Sequence, residues 1–522
     1  MRAHSRFSVS PLTVRIALLA AAAIVLSLVG RAAPPQQAAQ SAPPQTAPAA
    51  PQKSFVIVGA DVADGSGEPL VEESVRVVGD RIVRVGNFVP DAGETVMHAD
   101  GLVLAPGFID THNHSGPGLE TDRLAESQIS QGLTTLLLGQ DGSSPWPIGE
   151  WLDKFRKDPA ALNVMMLVGH ATVRRLVMGD DFRRPATLEE IAHMAALVDQ
   201  GMREGAVGLS SGLEYEVGSY SATEEVVAMA RVAGKYGGFY ISHIRDEADR
   251  SFEAMHELLE IGREGELPVQ NTHIKLGTVG VWYRAAEVAT MYDAARHAGQ
   301  DVTADCYPYD AWHSNFKVLV PNKKYDDPAS VSKAIDDVGG PQNLLITDFE
   351  PHPEYQGHTL ADAAKTRGIT PTQLLIEIIR DGDGGVIGHT MTEQDMRVFY
   401  AQPWVMVSSD GGIGMKHPRG AGTYPRVLGR LVREWHWLTL PEAVRRMTSL
   451  PAWRLKLHDR GLVKEGMVAD LTLFDPRTVI DRSTFAEPQK LSEGIEKVYV
   501  SGVLVWDHDH ATGAKPGKVL PK

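Results

Sequence analysis

The stretch LAPGFIDTHNH, residues 104–114, decides the fold. It is an apolar run ending on two histidines two residues apart, and side chains alternate along a strand, so His112 and His114 point to the same side. Apolar runs that close on polar or ionisable residues recur in LTTLLLGQD (133–141), NVMMLVGH (163–170), AVGLSSGLEY (206–215), GFYISHI (238–244), LPVQNTHIK (267–275), DVTADCYPY (301–309) and WVMVSSDGG (404–412). Amphipathic helical segments separate them, the pattern of βα units around a parallel sheet. Eight such strands predict an α/β fold, a TIM-like (β/α)8 barrel over residues 105–455, with its active groups where the strands end.

Working outward, short alternating strands divided by Gly and Asp turns fill residues 53–104, and a matching set fills 456–522. Together they predict one small β-sandwich assembled from both termini. The segment from about 310 to 400 is too long for a single βα connection and holds extra elements such as NLLITDF and GGVIGHT, so it reads as an inserted lid subdomain.

The chain has 522 residues with 51 Lys and Arg against 66 Asp and Glu, a net charge of −15 that argues against a nucleic-acid partner. Its one cysteine, Cys306, excludes an internal disulfide framework and a Cys-rich zinc site. At the amino terminus Arg2, Arg6 and Arg15 precede an apolar run from Ile16 to Gly30, which predicts a signal peptide over 1–33 and an exported protein, periplasmic or secreted. An uncleaved segment would instead anchor the chain, the one membrane association the sequence allows. Residues 34–52, rich in Pro, Ala and Gln, read as a disordered tether.

The chemistry is carried by strand ends. His112 and His114 end the first strand, His243 the fifth, His273 the sixth and Asp410 the eighth, so four imidazoles and a carboxylate converge at the barrel mouth. That donor set suits zinc, one ion or two. A lone His170 or His389 is more simply a hydrogen-bonded structural residue. Lys275, two beyond His273 on the same side of its strand, could receive a carboxylate. Arg245, two beyond His243, is a second anion candidate, weighed against an ion pair with Asp246 or Glu247.

The motifs APGFIDTHNH, GLSSGLEY, HIRDE, THIK, SSDG, HPR and RMTSLPA, in this order and spacing, resemble the amidohydrolase superfamily, and within it the D-aminoacylase (N-acyl-D-amino-acid deacylase) family, from about residue 54 to 510. The resemblance implies that His112 and His114 serve one metal position, His243 and His273 the other, and that Asp410 is both ligand and catalytic acid/base. It also implies that Lys275 and Tyr307 hold the free carboxylate of an N-acyl amino acid, with Ser314 or His313 in the place of a following serine. Trp312 and His313 depart from the family pattern. So does Gln140-Asp141-Gly142, where the family has a metal-binding cysteine between Asn and Gly. Asp141 is accordingly a candidate oxygen ligand, with Glu214 as the other carboxylate to consider.

A metal-bound water with lowered pKa would attack the amide carbonyl, and Asp410 would move the proton from that water to the leaving nitrogen. The expected substrate is a small N-acyl amino acid, its D configuration implied by the resemblance alone. The alternatives are a dipeptidase or amidase acting on D-residue peptides, and a binding protein that kept the barrel without its chemistry. Oligomeric state is not legible in the sequence.

Overall fold

The computed structural model describes residues 54–521; the expected signal and tether lie outside these residues. All eight predicted strands form, numbered here in chain order: β1 Phe108–Asp110, β2 Leu133–Leu138, β3 in two pieces (Asn163–Met166 and Val168–Gly169), β4 Gly208–Gly212, β5 Phe239–His243, β6 Val269–Asn271, β7 Val302–Cys306 and β8 Val405–Val407. Pairing is parallel from each to the next. β3 breaks at Leu167, whose N–H reaches Leu138 O at 2.9 Å, so its first piece pairs with β2 and its second with β4. The ring closes beyond the ends of β1 and β8, through a parallel bridge between Asn113 and Gly411. Asp410 N–H donates to His112 O at 2.9 Å there, and His114 N–H to Gly411 O at 2.7 Å. The seam of the barrel therefore also positions three candidate site residues.

The helices outside the ring are amphipathic. Leu188–Glu204 starts at a capping box between Thr187 and Glu190, buries Met194, Val198 and Met202, and stops at Gly205, whose φ of 118° suits glycine. Ile148–Lys157 likewise buries Trp151, Leu152 and Phe155. Each such large apolar side chain removed from water contributes about 1.5–3 kcal/mol.

The terminal β segments are hydrogen-bonded as one nine-stranded sheet assembled from both termini. Its halves join where Val103–Pro106 runs antiparallel to Leu471–Phe474. One face packs Ile57, Val75, Leu104 and Leu473 together, while Val103, Phe474, Val498 and Trp506 belong to the core shared with the barrel.

The inserted segment carries a three-stranded antiparallel sheet, Trp312–Asn315 next to Gly385–Gly388 next to Leu344–Asp348, with helices Pro328–Asp337, Leu360–Arg367 and Pro371–Arg380 around a core of its own. Helix Glu393–Tyr400, which the expected 310–400 segment takes in, belongs to the barrel instead. Its Phe399 and Tyr400 sit in the barrel core, and Tyr400 donates a hydrogen bond to Cys306 O at the end of β7.

Candidate metal centre and active site

The ends of β1, β2, β5, β6 and β8 bring His112, His114, Asp141, His243, His273 and Asp410 together. His112 Nε2 lies 3.2 Å from His114 Nε2, and Asp410 Oδ1 is 3.4 and 3.1 Å from the two. Asp141 faces the same pair at 3.4 and 3.6 Å. On the other side His243 Nδ1 is 3.0 Å from His273 Nε2. Asp141 belongs to both groups: one combines it with His112, His114 and Asp410, the other with His243 and His273, all ligand atoms in each lying within 4.8 Å of one another.

These residues sit on an unusual backbone. Asp141, His273 and Asp410 have φ of 54°, 34° and 46°, a left-handed region that non-glycine residues rarely occupy. Hydrogen bonds hold the turns in place: His273 N–H donates to Asp305 Oδ1 at 2.8 Å, and Asp410 N–H to His112 O as above. Local strain of this kind persists where surrounding structure over-determines it, as at functional sites. Beneath the histidines two buried carboxylates act as braces. Asp110 accepts from Asn113 Nδ2 at 2.9 Å and His112 N–H at 3.1 Å, and Asp305 accepts from Gln270 Nε2 at 2.6 Å and lies 3.7 Å from His112 Nδ1. Carboxylates behind ligating imidazoles set ring orientation and basicity.

The donor set fits a metal. Imidazole nitrogens 3.0–3.2 Å apart bring lone pairs together that a cation would satisfy. Asp141 Oδ1 is buried without a hydrogen-bond partner and faces this cluster. All the donors are nitrogen and oxygen, the chemistry expected of zinc.

The electrostatics favour an ionised Asp410. Burial pushes its carboxyl up, but the Arg419 guanidinium 2.8 Å away, with His112 and His273, outweighs burial and holds it well below the usual carboxylate range. Arg419 lies in the HPR motif, and no strand or helix period points it to the site. It also stacks 4.8 Å from the Tyr307 ring. Glu247 was considered only as a partner for Arg245; it is instead a central residue, 2.7 Å from Lys275 Nζ, 3.1 Å from His273 Nδ1 and 3.7 Å from His243 Nε2. Glu214 completes this acidic side at 2.8 Å from His243 Nε2.

Lys275 is thus in the site, buried and ion-paired. Tyr307 is buried beside Arg419, with its hydroxyl 3.7 Å from Met391 Sδ. His313 and Ser314 both reach the centre, and burial followed by the charge of Arg419 lowers the His313 imidazole to about 4. Arg245 requires correction. Its guanidinium pairs with Glu257 through two contacts of 2.7 Å, neither Asp246 nor Glu247 is its partner, and it lines a separate cavity. The cause is the turn of the helix Ser251–Gly265, which carries Glu257 back over the end of β5.

Two cavities meet at the centre. A narrow one of about 60 Å³ runs past Lys275 and Glu247 under the insertion, between Trp312, Val318, Leu319, Ala334 and Val338. A broad cleft of about 670 Å³ lies on the His114 and Asp141 side, lined by Gln140, Ser143, Glu216, Ser314 and Asn315 among others.

Comparison with known proteins agrees with this arrangement. The amidohydrolase family model matches residues 95–304 and 402–506. The chain is 35% identical to the D-aminoacylase of Alcaligenes xylosoxydans xylosoxydans, over 90% of this chain and 97% of that one. It is 36% identical to the N-acyl-D-aspartate deacylase of the same organism, over 90% and 95%. A crystal structure of the N-acyl-D-glutamate deacylase of Bordetella bronchiseptica, complexed with zinc and a phosphonate mimic of the tetrahedral intermediate, superposes with a TM-score of 0.82 at 32% identity, covering 90% of this chain and all of that one.

Proposed function

The chain belongs to the amidohydrolase family, in its D-aminoacylase group, and from this membership and the site we propose that it hydrolyses the amide bond of N-acyl-D-amino acids to a carboxylate and a D-amino acid. The observation that carries the reading is the convergence of six nitrogen and oxygen donors in two groups that share Asp141, with ionised Asp410 among them.

His112 and His114 would hold one zinc position, His243 and His273 the other, and Asp141 would contribute to both. A zinc ion bound there supplies Lewis acidity, polarising the amide carbonyl and lowering the pKa of its water. Asp410 accepts the proton of the attacking water and returns it to the amide nitrogen as the C–N bond breaks, because an amine leaves only when protonated. Lys275 offers the substrate's α-carboxylate a cation beside the centre. With the carboxylate there, the substrate side chain enters the narrow cavity and the acyl group lies toward the broad cleft.

The narrow cavity distinguishes among the relatives, whose identities to this chain are nearly equal. Its far wall is apolar, with Asp337 as the charged group at that end, so an acidic side chain would be buried without a partner. Release of the amino acid from N-acetyl-D-leucine, N-acetyl-L-leucine and N-acetyl-D-glutamate by the zinc-supplemented protein tests both points. Turnover of the D-leucine derivative and not of its L isomer is expected, with kcat/KM at least about tenfold lower for D-glutamate. Equal use of both isomers would remove the stereochemical assignment, and a preference for glutamate would remove the reading of the cavity.

The arginine-flanked apolar run before Gly30 supports export as part of this reading. Amino-terminal sequencing of protein from the periplasmic or culture fraction is expected to begin near residue 34. Recovery of the uncleaved chain in the membrane fraction would favour anchoring.

A further inference from the structure

The broad cleft is larger than an acetyl group needs. By the measure in which one water occupies about 10–15 Å³, the narrow cavity holds about four to six water-sized groups, enough for one side chain. The cleft, at about 670 Å³, falls in the range of about 300–1,000 Å³ that accommodates whole drug-sized ligands. Its lining mixes apolar surface from Ala171, Val217 and Met415 with donors and acceptors on Ser143, Ser314 and Asn315.

A second observation specifies what such a ligand would be. Strand Trp312–Asn315 is an edge strand, pairing with Gly385–Gly388 on one side and forming no ladder on the other among the described residues. Phe316 N–H donates to Gly384 O at 3.2 Å, in line with the register Ser314↔Val386 and Trp312↔Gly388. Residues opposite one another in an antiparallel pair alternate between exchanging hydrogen bonds and turning away. By that alternation Trp312 and Ser314 bond the partner strand, whereas His313 and Asn315 turn N–H and C=O to the open edge. His313 lines both cavities and Asn315 only the broad cleft, so the strand leads from the centre outward along the cleft wall. Arg419 Nη2 donates to His313 O at 3.5 Å, so that carbonyl is taken at the inner end, and the His313 N–H and the Asn315 N–H and C=O remain for a substrate strand.

Resting on the proposed deacylase activity, we infer that the acyl side of the preferred substrate is a peptide chain of two or more residues that adds as a strand to the free edge at His313 and Asn315. The substrate class is then peptides ending in an apolar D-residue. An extended chain pairing with an exposed edge takes its affinity from main-chain hydrogen bonds and is tolerant of side chains. The reaction is unchanged: water oxygen bonds to the acyl carbon, the C–N bond before the D-residue breaks, and the proton passes to the released amine.

The test is a kinetic series with D-leucine constant and the acyl group varied through acetyl, acetyl-alanyl and acetyl-alanyl-alanyl, reading D-leucine release. A rise in kcat/KM of tenfold or more on lengthening is expected, chiefly through KM. In the longest substrate each alanine is then replaced in turn by lactate, which substitutes an ester oxygen for one N–H with little change of shape. One of these replacements is expected to remove most of the gain while acetyl-D-leucine turnover stays as it was. Acetyl-D-leucine performing as well as the peptides, or esters performing as well as amides, would overturn the inference. Failure to release D-leucine from any member would count against the deacylase reading itself, a separate result.

Discussion

Replacing Asp410 with asparagine is expected to lower kcat by on the order of 10⁴-fold, the upper end of what a positioned general acid–base group contributes. Asparagine keeps the shape but can neither accept the proton of the attacking water nor deliver one to the leaving nitrogen. It also weakens the contact with Arg419 and takes a charged oxygen from the group formed with His112, His114 and Asp141. The backbone should survive, because the hydrogen bond from Asp410 N–H to His112 O does not involve the substituted group. Circular dichroism matching the parent, with turnover near zero, is the expected pair of results. Substantial turnover by a folded Asp410→Asn variant would remove this residue from the proton-transfer role.

Removal of metal should have a comparable effect. Dialysis against a chelator is expected to bring activity below about 1% of the starting value, with recovery on adding zinc. Thermal stability should fall alongside, since a ligand bound only by the native state stabilises it by about 4 kcal/mol when present at a thousand times its Kd. Loss of the ion also leaves Asp141 Oδ1 buried without a partner. Metal analysis and a melting curve on the same samples check both parts. Full activity in protein shown to lack metal would refute the metal-dependent mechanism, and a protein that never takes up zinc would revive the non-catalytic binding protein.

What the sequence revealed divides along physical lines. His112, His114, His243, His273 and Asp410 were legible because each closes an apolar run, and a parallel barrel brings strand ends to one mouth. Lys275 followed from the two-residue period of its strand. Glu247 and Arg419 did not follow from any period. Glu247 reaches Lys275 across 28 positions and Arg419 reaches Asp410 through the loop after β8, contacts decided by how loops pack and not by local pattern. Arg245 shows the same limit in reverse. Its neighbours in sequence suggested the wrong partners, and a helix turn brought Glu257 to it. The edge strand at Trp312–Asn315 was likewise invisible, since four residues carry too short an alternation to reveal which side is left unpaired.

The junction of Val103–Pro106 with Leu471–Phe474 has a consequence for biosynthesis. A ribosome adds about 5–20 residues each second, so the amino-terminal half of the sheet waits for its partner strand until nearly the whole chain has been made. Such distant pairing slows folding. The fold therefore locks only once its last strands arrive.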